Sequence, residues 1–378
     1  MTVALGLWLR QYGRQLPWLL LVNISAILFI GVVLQLDAGE GQWQTFAHKQ
    51  ILNIAIGVVA LLAAGLLPTR WWLRGAWGFY AIGVGLLILV ELVGDFGGGA
   101  QSWLAVGGFR LQPTELMRVA LIVLLAALFQ TRGLREMNHG LMIVGLALLL
   151  GGPLLLVILQ PDLGSAAMLG LTCLGVLFVA GLGKRWFIAG AIALALAAPV
   201  AWHQLHPYQQ TRLTAFLNPL ADPLGSGYHV LQSQIGIGSA GFWGKGFLGG
   251  TQAHLKFLPE KHTDFVFTLL VEDFGLFGGL LLLALYVSLF IQGVLIALRC
   301  RNHFMAVIAL GAVWSLALYV IVNVGMVLGL LPVVGVPLPL VSYGGSAMLG
   351  FMLSLGLLVH AHVHRDEKLP GAPGLSQP

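Results

Sequence analysis

The chain has 378 residues, 9% of them charged and 58% hydrophobic, with a mean hydropathy of +0.91. Ordinary soluble domains carry about 25% charged residues, so a surface this poor in charge excludes a soluble enzyme, a nucleic-acid binder and a disordered chain. The formal charge of +5 does not point to nucleic acid, because the 19 basic residues are scattered; what remains is an integral membrane protein.

A helix that crosses a bilayer needs about 20 mostly apolar residues. In chain order such stretches fall at 17–36, 51–67, 77–93, 114–130, 140–159, 165–182, 187–202, 266–298, 304–328 and 343–361. The expected fold is an all-α polytopic membrane protein with about ten transmembrane helices. Arg10 and Arg14 precede the first apolar run, which has no A-x-A-like cleavage site and therefore reads as a retained span. The stretch 266–298 is too long for one straight span, and its start, through Gly275, reads as interfacial or partly buried.

Basic residues set the orientation. With the N-terminus in the cytoplasm, 12 of the 19 Lys and Arg fall in cytoplasmic segments, whereas Glu136, Asp366 and Glu367 are the only acids there. Short outer loops hold only Lys49 and Arg110. That asymmetry obeys the positive-inside rule and places both termini in the cytoplasm, in a multi-pass protein of the cytoplasmic membrane. Residues 1–364 then form one transmembrane domain and 365–378 a short cytoplasmic tail. One large extracytoplasmic loop, 203–265, joins spans seven and eight. Loops of that length are usually functional or disordered, and Tyr208, Phe216, Trp243 and Phe247 argue against disorder here. Cys173 and Cys300 lie too far apart along the bundle to meet and read as small packing residues.

Polar chemistry collects at the outer ends of the spans. Gln112-Pro113-Thr114-Glu115 opens the fourth, and Glu115 and Arg118, three residues apart, share a helix face. They read either as a structural cap with an ion pair or as an ion pair lining a polar cavity. Gln160-Pro161-Asp162-Leu163-Gly164 makes a tight turn between spans five and six. Asp162 reads as the N-cap of the next helix, or as part of a site at the mouth of the bundle. Leu258-Pro259-Glu260-Lys261-His262-Thr263-Asp264-Phe265 ends the long loop where the chain re-enters the membrane. A carboxyl at such a border is partly desolvated and more basic as a carboxylate, so Asp264 suits a general base or a cation ligand. Gly244-Lys245-Gly246 lies in a glycine-rich stretch that lacks the P-loop pattern but offers backbone N–H groups to a phosphate. His360, His362 and His364 alternate at the inner end of the last span. Ser342, in Val341-Ser342-Tyr343-Gly344-Gly345-Ser346, either belongs to a stretch of small residues for close packing or lines the cavity.

Taken together and in order, these motifs resemble the RodA/FtsW family of shape, elongation, division and sporulation proteins. The resemblance covers the whole chain and includes Asp222-Pro223-Leu224-Gly225-Ser226-Gly227-Tyr228-His229, Gln232-Ser233-Gln234-Ile235-Gly236-Ile237-Gly238 and Pro339-Leu340-Val341-Ser342-Tyr343-Gly344-Gly345-Ser346. The short N-terminus and the His262-Thr263-Asp264-Phe265 run look more like the elongation members than the division paralogues. Two positions depart from the pattern: Thr114 stands where Ser is usual and keeps the hydroxyl, and Arg118 stands where Lys is common, which keeps the charge but changes the donor geometry.

The resemblance implies a peptidoglycan glycosyltransferase that polymerises lipid II outside the cytoplasmic membrane, with inversion, in cell elongation and shape. It carries the catalytic carboxylate to Asp264 and implies that Glu115, Arg118 and Asp162 line a cavity; Gln160, Lys245, Lys256, His262, Thr263 and Ser342 are expected in the same substrate cavity. Its implied partners are lipid II, the lipid-linked glycan strand, membrane lipids and a class B penicillin-binding protein, with no nucleic acid. The chemistry fits. A sugar hydroxyl needs one base, while a pyrophosphate leaving group needs positive charge rather than a proton. Outer cations (Arg110, Arg212, Lys245, Lys256, Lys261) or a bound Mg²⁺ or Mn²⁺ supply that charge. The rival is a lipid II flippase, which needs polar groups accessible from both sides of the membrane.

Overall fold

The computed structural model describes residues 15–97, 100–107, 109–204, 210, 226–254 and 261–369. Each expected span is a helix. They are α1 (Trp18–Ala38), α2 (Ala47–Leu66), α3 (Thr69–Val93), α4 (Pro113–Met137), α5 (Gly140–Leu159), α6 (Leu163–Val179) and α7 (Lys184–Gln204). Two further helices, α8 (Ser226–Ser239) and α9 (Thr251–His254), lie in the segment expected as loop. The last three are α10 (Val266–Leu298), α11 (His303–Val327) and α12 (Gly345–Val363). Among the described residues, eight helices (α1 to α5 and α10 to α12) are long and apolar enough to cross a membrane, and α6 is apolar but shorter. The chain is a mostly helical, multi-pass membrane protein.

The expectation of an all-α chain needs one correction. Strands β1 (Asp95–Gly97), β2 (Ala100–Val106) and β3 (Phe109–Leu111) form an antiparallel sheet between α3 and α4. The sequence there is short and glycine-rich, with too few alternating positions to register as strands.

The centre of the bundle is α4, whose apolar residues from Val119 to Phe129 are buried without interruption. A helix apolar all round is a core helix, and α4 is enclosed by α3, α6, α11 and α12. Around it, α2 packs against α12, and α10 against α11 and α1. Small residues let the backbones approach: a Cβ on Gly356 of α12 would stand 2.7 Å from the Leu61 carbonyl of α2. Without a hydrophobic drive between helices in lipid, such close packing is what holds them together.

The long stretch 266–298 is broken where its length required. Gly275 has φ +70°, so α10 runs as a short N-terminal piece, a break, and then a full-length span. The loop after α8 fills the break: Leu276 and Phe277 N–H donate to the carbonyls of Gly241 and Phe242, at 3.0 and 3.1 Å. A Cβ at Gly275 would meet the Phe242 carbonyl oxygen at 2.2 Å, so both the left-handed backbone and the close approach require glycine.

Candidate functional site

One end of the bundle gathers the starts of α4, α6, α10 and α12. Gln112, just before α4, donates from its side-chain amide to Asp162 Oδ2 (3.3 Å) and Ser165 Oγ (3.1 Å). Its backbone N–H donates to Ser346 Oγ of α12 at 2.9 Å. Asp162 caps α6 as expected: Oδ1 accepts from Ser165 N–H at 2.9 Å and Oδ2 from Ser165 Oγ at 2.7 Å. The turn that carries Asp162 presses on segment 334–336, since a Cβ on Gly164 would stand 2.2 Å from the Val334 carbonyl oxygen. The next residue, Gly335 (φ +69°), faces the other motif: its Cβ would be 3.4 Å from Asp264 Oδ2. The Asp162 and Asp264 motifs, about a hundred residues apart in sequence, therefore flank one short segment.

Asp264 is half-buried, in the turn 261–265 that leads into α10. His262 stacks on Phe46 with ring centroids 4.4 Å apart, and Tyr343 stands 5.9 Å from His262. Lys261 faces Glu40 at 3.8 Å. Ser342 Oγ accepts from Leu338 N–H at 2.7 Å and donates to the Thr263 carbonyl. The Ser342 hydroxyl is thus joined to the Thr263 backbone, next to Asp264. The wall behind them is protein: Gln35 of α1 and Gln50 of α2 donate to the carbonyls of Val341 and Ser342.

The Glu115–Arg118 pair forms as its spacing predicts, at 2.6 Å, with side chains only 5% and 1% exposed. Tyr319 Oη donates to Glu115 Oε1 (2.8 Å), and Arg118 donates to Ser315 Oγ (2.7 Å). The guanidinium lies over the rings of Tyr319 and Phe351, 4.6 and 4.7 Å from their centroids. Between the two readings left open by the sequence, this enclosure supports the structural pair. Gln160 is buried too, with its amide donating to the Leu87 carbonyl of α3 at 2.9 Å.

Lys245 is engaged rather than open. Its Nζ donates to Glu272 Oε1 (2.7 Å) and Thr251 Oγ1 (2.9 Å), and Gln252 N–H donates to the same carboxylate oxygen at 2.9 Å. The expectation that Gly244-Lys245-Gly246 offers free N–H groups to a phosphate is corrected: Lys245 and Gly246 N–H donate to the carbonyls of Glu272 and Asp273. Lys256 and Arg212 lie outside the described residues. Sequence reasoning missed three acids here. Asp37, which accepts from Leu248 N–H at 2.8 Å, Glu272 and Asp273 are all buried. Their signal was available, as carboxylates inside stretches otherwise apolar.

Among the described residues no group of three or more His, Cys, Asp or Glu side chains is placed to hold a metal ion. That includes the alternating histidines of α12, where His360 is buried with its ring 4.3 Å from that of His364.

The family model described as "Cell cycle protein", FtsW/RodA/SpoVE, matches residues 14–367. The peptidoglycan glycosyltransferase MrdB of Escherichia coli K12 is 42% identical over 353 residues, covering 92% of this chain and 94% of that protein. A chain from a structure described as showing structural coordination of polymerization and crosslinking by a peptidoglycan synthase complex superposes with a TM-score of 0.81 at 32% identity, covering 93% of this chain and 99% of that one. The rod shape determining protein RodA of Thermus thermophilus superposes with a TM-score of 0.70 at 28% identity, covering 93% and 98%. The seven motifs, the arrangement of the helices and these matches along nearly the whole length lead to one conclusion: the chain belongs to the FtsW/RodA/SpoVE family.

Proposed function

We propose that this protein is a peptidoglycan glycosyltransferase of cell elongation that polymerises lipid II at the outer face of the cytoplasmic membrane. The observation that carries the reading is the half-buried carboxylate of Asp264, in a turn braced by protein on one side, where the Asp162 and Ser342 motifs converge. In this reading ten helices cross the membrane, both termini are cytoplasmic, and the Asp264 end faces outward. Segment 203–265 lies on that outer side, and 365–378 is the cytoplasmic tail.

The reaction asks for little protein chemistry. The 4-hydroxyl of a GlcNAc on incoming lipid II attacks C1 of MurNAc on the lipid-linked strand. The new C–O bond forms as the bond from C1 to the undecaprenyl pyrophosphate oxygen breaks, and the configuration at C1 inverts. Asp264 takes the hydroxyl proton. A single positioned carboxylate contributes typically 10²–10⁴-fold to such a step. No general acid is needed, because pyrophosphate leaves as a stable anion, unlike the alcohol of glycoside hydrolysis. Both substrates carry polyprenyl tails, which explains why the catalyst is embedded in a bilayer.

The charge that meets the pyrophosphate has fewer candidates than the sequence suggested. Lys245 is held by Glu272 and Lys261 faces Glu40. The described residues supply no protein-only divalent site, so Mg²⁺ or Mn²⁺ would take most of its ligands from substrate phosphates and water, as Mg²⁺ commonly does. The partner in this reading is a class B penicillin-binding protein, which cross-links the strands this chain makes.

The test is glycan-strand formation by purified protein on lipid II, with and without that partner and with and without divalent cation. Strands longer than lipid II itself support the reading, and movement of lipid II across vesicles without polymer would replace it with the flippase.

A further inference from the structure

The carbonyls of three consecutive residues at Asp264 are each gripped by a side chain from elsewhere. Gln35 of α1 donates from Nε2 to the His262 carbonyl at 3.1 Å. Ser342, before α12, donates to the Thr263 carbonyl. Asn323 of α11 donates from Nδ2 to the Asp264 carbonyl at 2.9 Å. These donors lie 227, 79 and 59 residues away in sequence. Gln35 and Asn323 each have a second grip on the facing segment: Gln35 on the Val341 carbonyl at 3.1 Å, and Asn323 on the Val336 carbonyl at 2.7 Å. The turn and the facing segment 336–342 are therefore stitched together along both edges.

The amide orientations follow from the partners. Reversing either amide would set its oxygen against two carbonyl oxygens. Both amides are wholly buried, and among the described residues Gln35 Oε1 and Asn323 Oδ1 have no hydrogen-bond partner. A leucine in either span would leave two backbone carbonyls without their side-chain donor, and a buried unpaired carbonyl is costly. The donor half of each amide is used twice, on four backbone carbonyls.

We propose that Gln35 and Asn323, acting with Ser342, are positioning residues that fix the backbone of the turn 262–264 and so hold the Asp264 carboxylate at the reacting centre. With its backbone pinned at three successive carbonyls, Asp264 retains only its own side-chain torsions. Its place relative to the Gly335 segment is then set by the registry of α1 and α11. A misplacement of about 1 Å in a catalytic group is enough to cost on the order of 10²-fold in rate. The inference rests on Asp264 being the general base.

The test compares Gln35→Leu and Asn323→Leu with Asp264→Asn in the full-length protein with its penicillin-binding partner, polymerising lipid II. The two leucine variants are expected to lower kcat by on the order of 10²-fold, with KM for lipid II close to that of the unsubstituted protein; both should remain folded in detergent with a lowered melting temperature, because each leaves two backbone carbonyls without their side-chain donor. Asn323→Gln, which keeps the amide on a longer stem, should recover part of the loss. Normal kcat in either leucine variant, alongside an inactive Asp264→Asn, overturns the positioning roles and leaves the base assignment standing. An active Asp264→Asn overturns both. A loss confined to KM, or loss of folded protein in both leucine variants, assigns the amides to binding or to bundle stability and overturns the proposal.

Discussion

Arg118 lies beneath Tyr319 and Phe351 with its guanidinium 2.6 Å from the Glu115 carboxylate, and every partner of the pair comes from α4, α11 or α12. Gly350 of α12 passes so close that a Cβ there would stand 2.9 Å from Glu115 Oε2 and 3.0 Å from the guanidinium. The pair joins three core helices at a point where either charge alone would be stranded.

Arg118→Leu is therefore expected to destabilise the protein by about 3–5 kcal/mol, the usual effect of removing one partner of a buried pair. Glu115→Gln should cost a comparable amount, because Tyr319 and Arg118 donate to different carboxylate oxygens, so the single amide oxygen keeps one of them and the buried guanidinium loses its counter-charge. Melting temperatures in detergent compare the two directly. Small shifts in both would show that the pair faces water rather than protein.

Lys245 is expected to act through Glu272. Lys245→Met leaves a wholly buried carboxylate without its cation, so stability and activity should fall together. Adding Glu272→Gln should restore part of the stability. If Lys245→Met melts normally and loses only polymerisation, the lysine serves the substrate directly, as its sequence context first suggested.

Gly275→Ala tests the break in α10. The new methyl would clash with the Phe242 carbonyl at 2.2 Å, and the backbone there has φ +70°. The clash is with backbone, so little can yield. Folded yield should fall sharply by size-exclusion chromatography, whereas Gly107→Ala, at φ +57° with open space around it, should cost much less.

Asp162 separates capping from chemistry. Asp162→Asn retains the acceptor for Ser165 N–H, whereas Asp162→Ala loses it at about 1 kcal/mol. Near-normal polymerisation by the Asn variant and a modest deficit in the Ala variant would mark a cap. An inactive but stable Asn variant would mean that the carboxylate charge itself meets substrate.

The spans were legible because a bilayer demands long apolar runs, and even the break at Gly275 followed from the excess length of 266–298. The motifs at Gln112, Asp162, Asp264 and Ser342 were legible as polar clusters in an apolar chain, and the structure brings them to one end. What stayed hidden were single polar residues inside spans. Gln35 and Asp37 sit near the end of α1 and Asn323 near the end of α11, and their partners lie 227, 211 and 59 residues away. No local spacing reports such a contact. Helix α8 was hidden for a related reason: its glycines weaken helix propensity, and it is held by packing on α10 and α11. Lys245 looks open in the sequence, a lysine between glycines; the fold places Glu272 beside it.

The role proposed for Asp264 is to remove the proton from the attacking sugar hydroxyl. Asp264→Asn keeps the shape of the side chain and removes its basicity. Purified Asp264→Asn protein, folded and combined with the proposed penicillin-binding partner, is predicted to make no glycan strands from lipid II under conditions where the unsubstituted protein makes them. Strand formation by that variant at close to the normal rate would contradict the account.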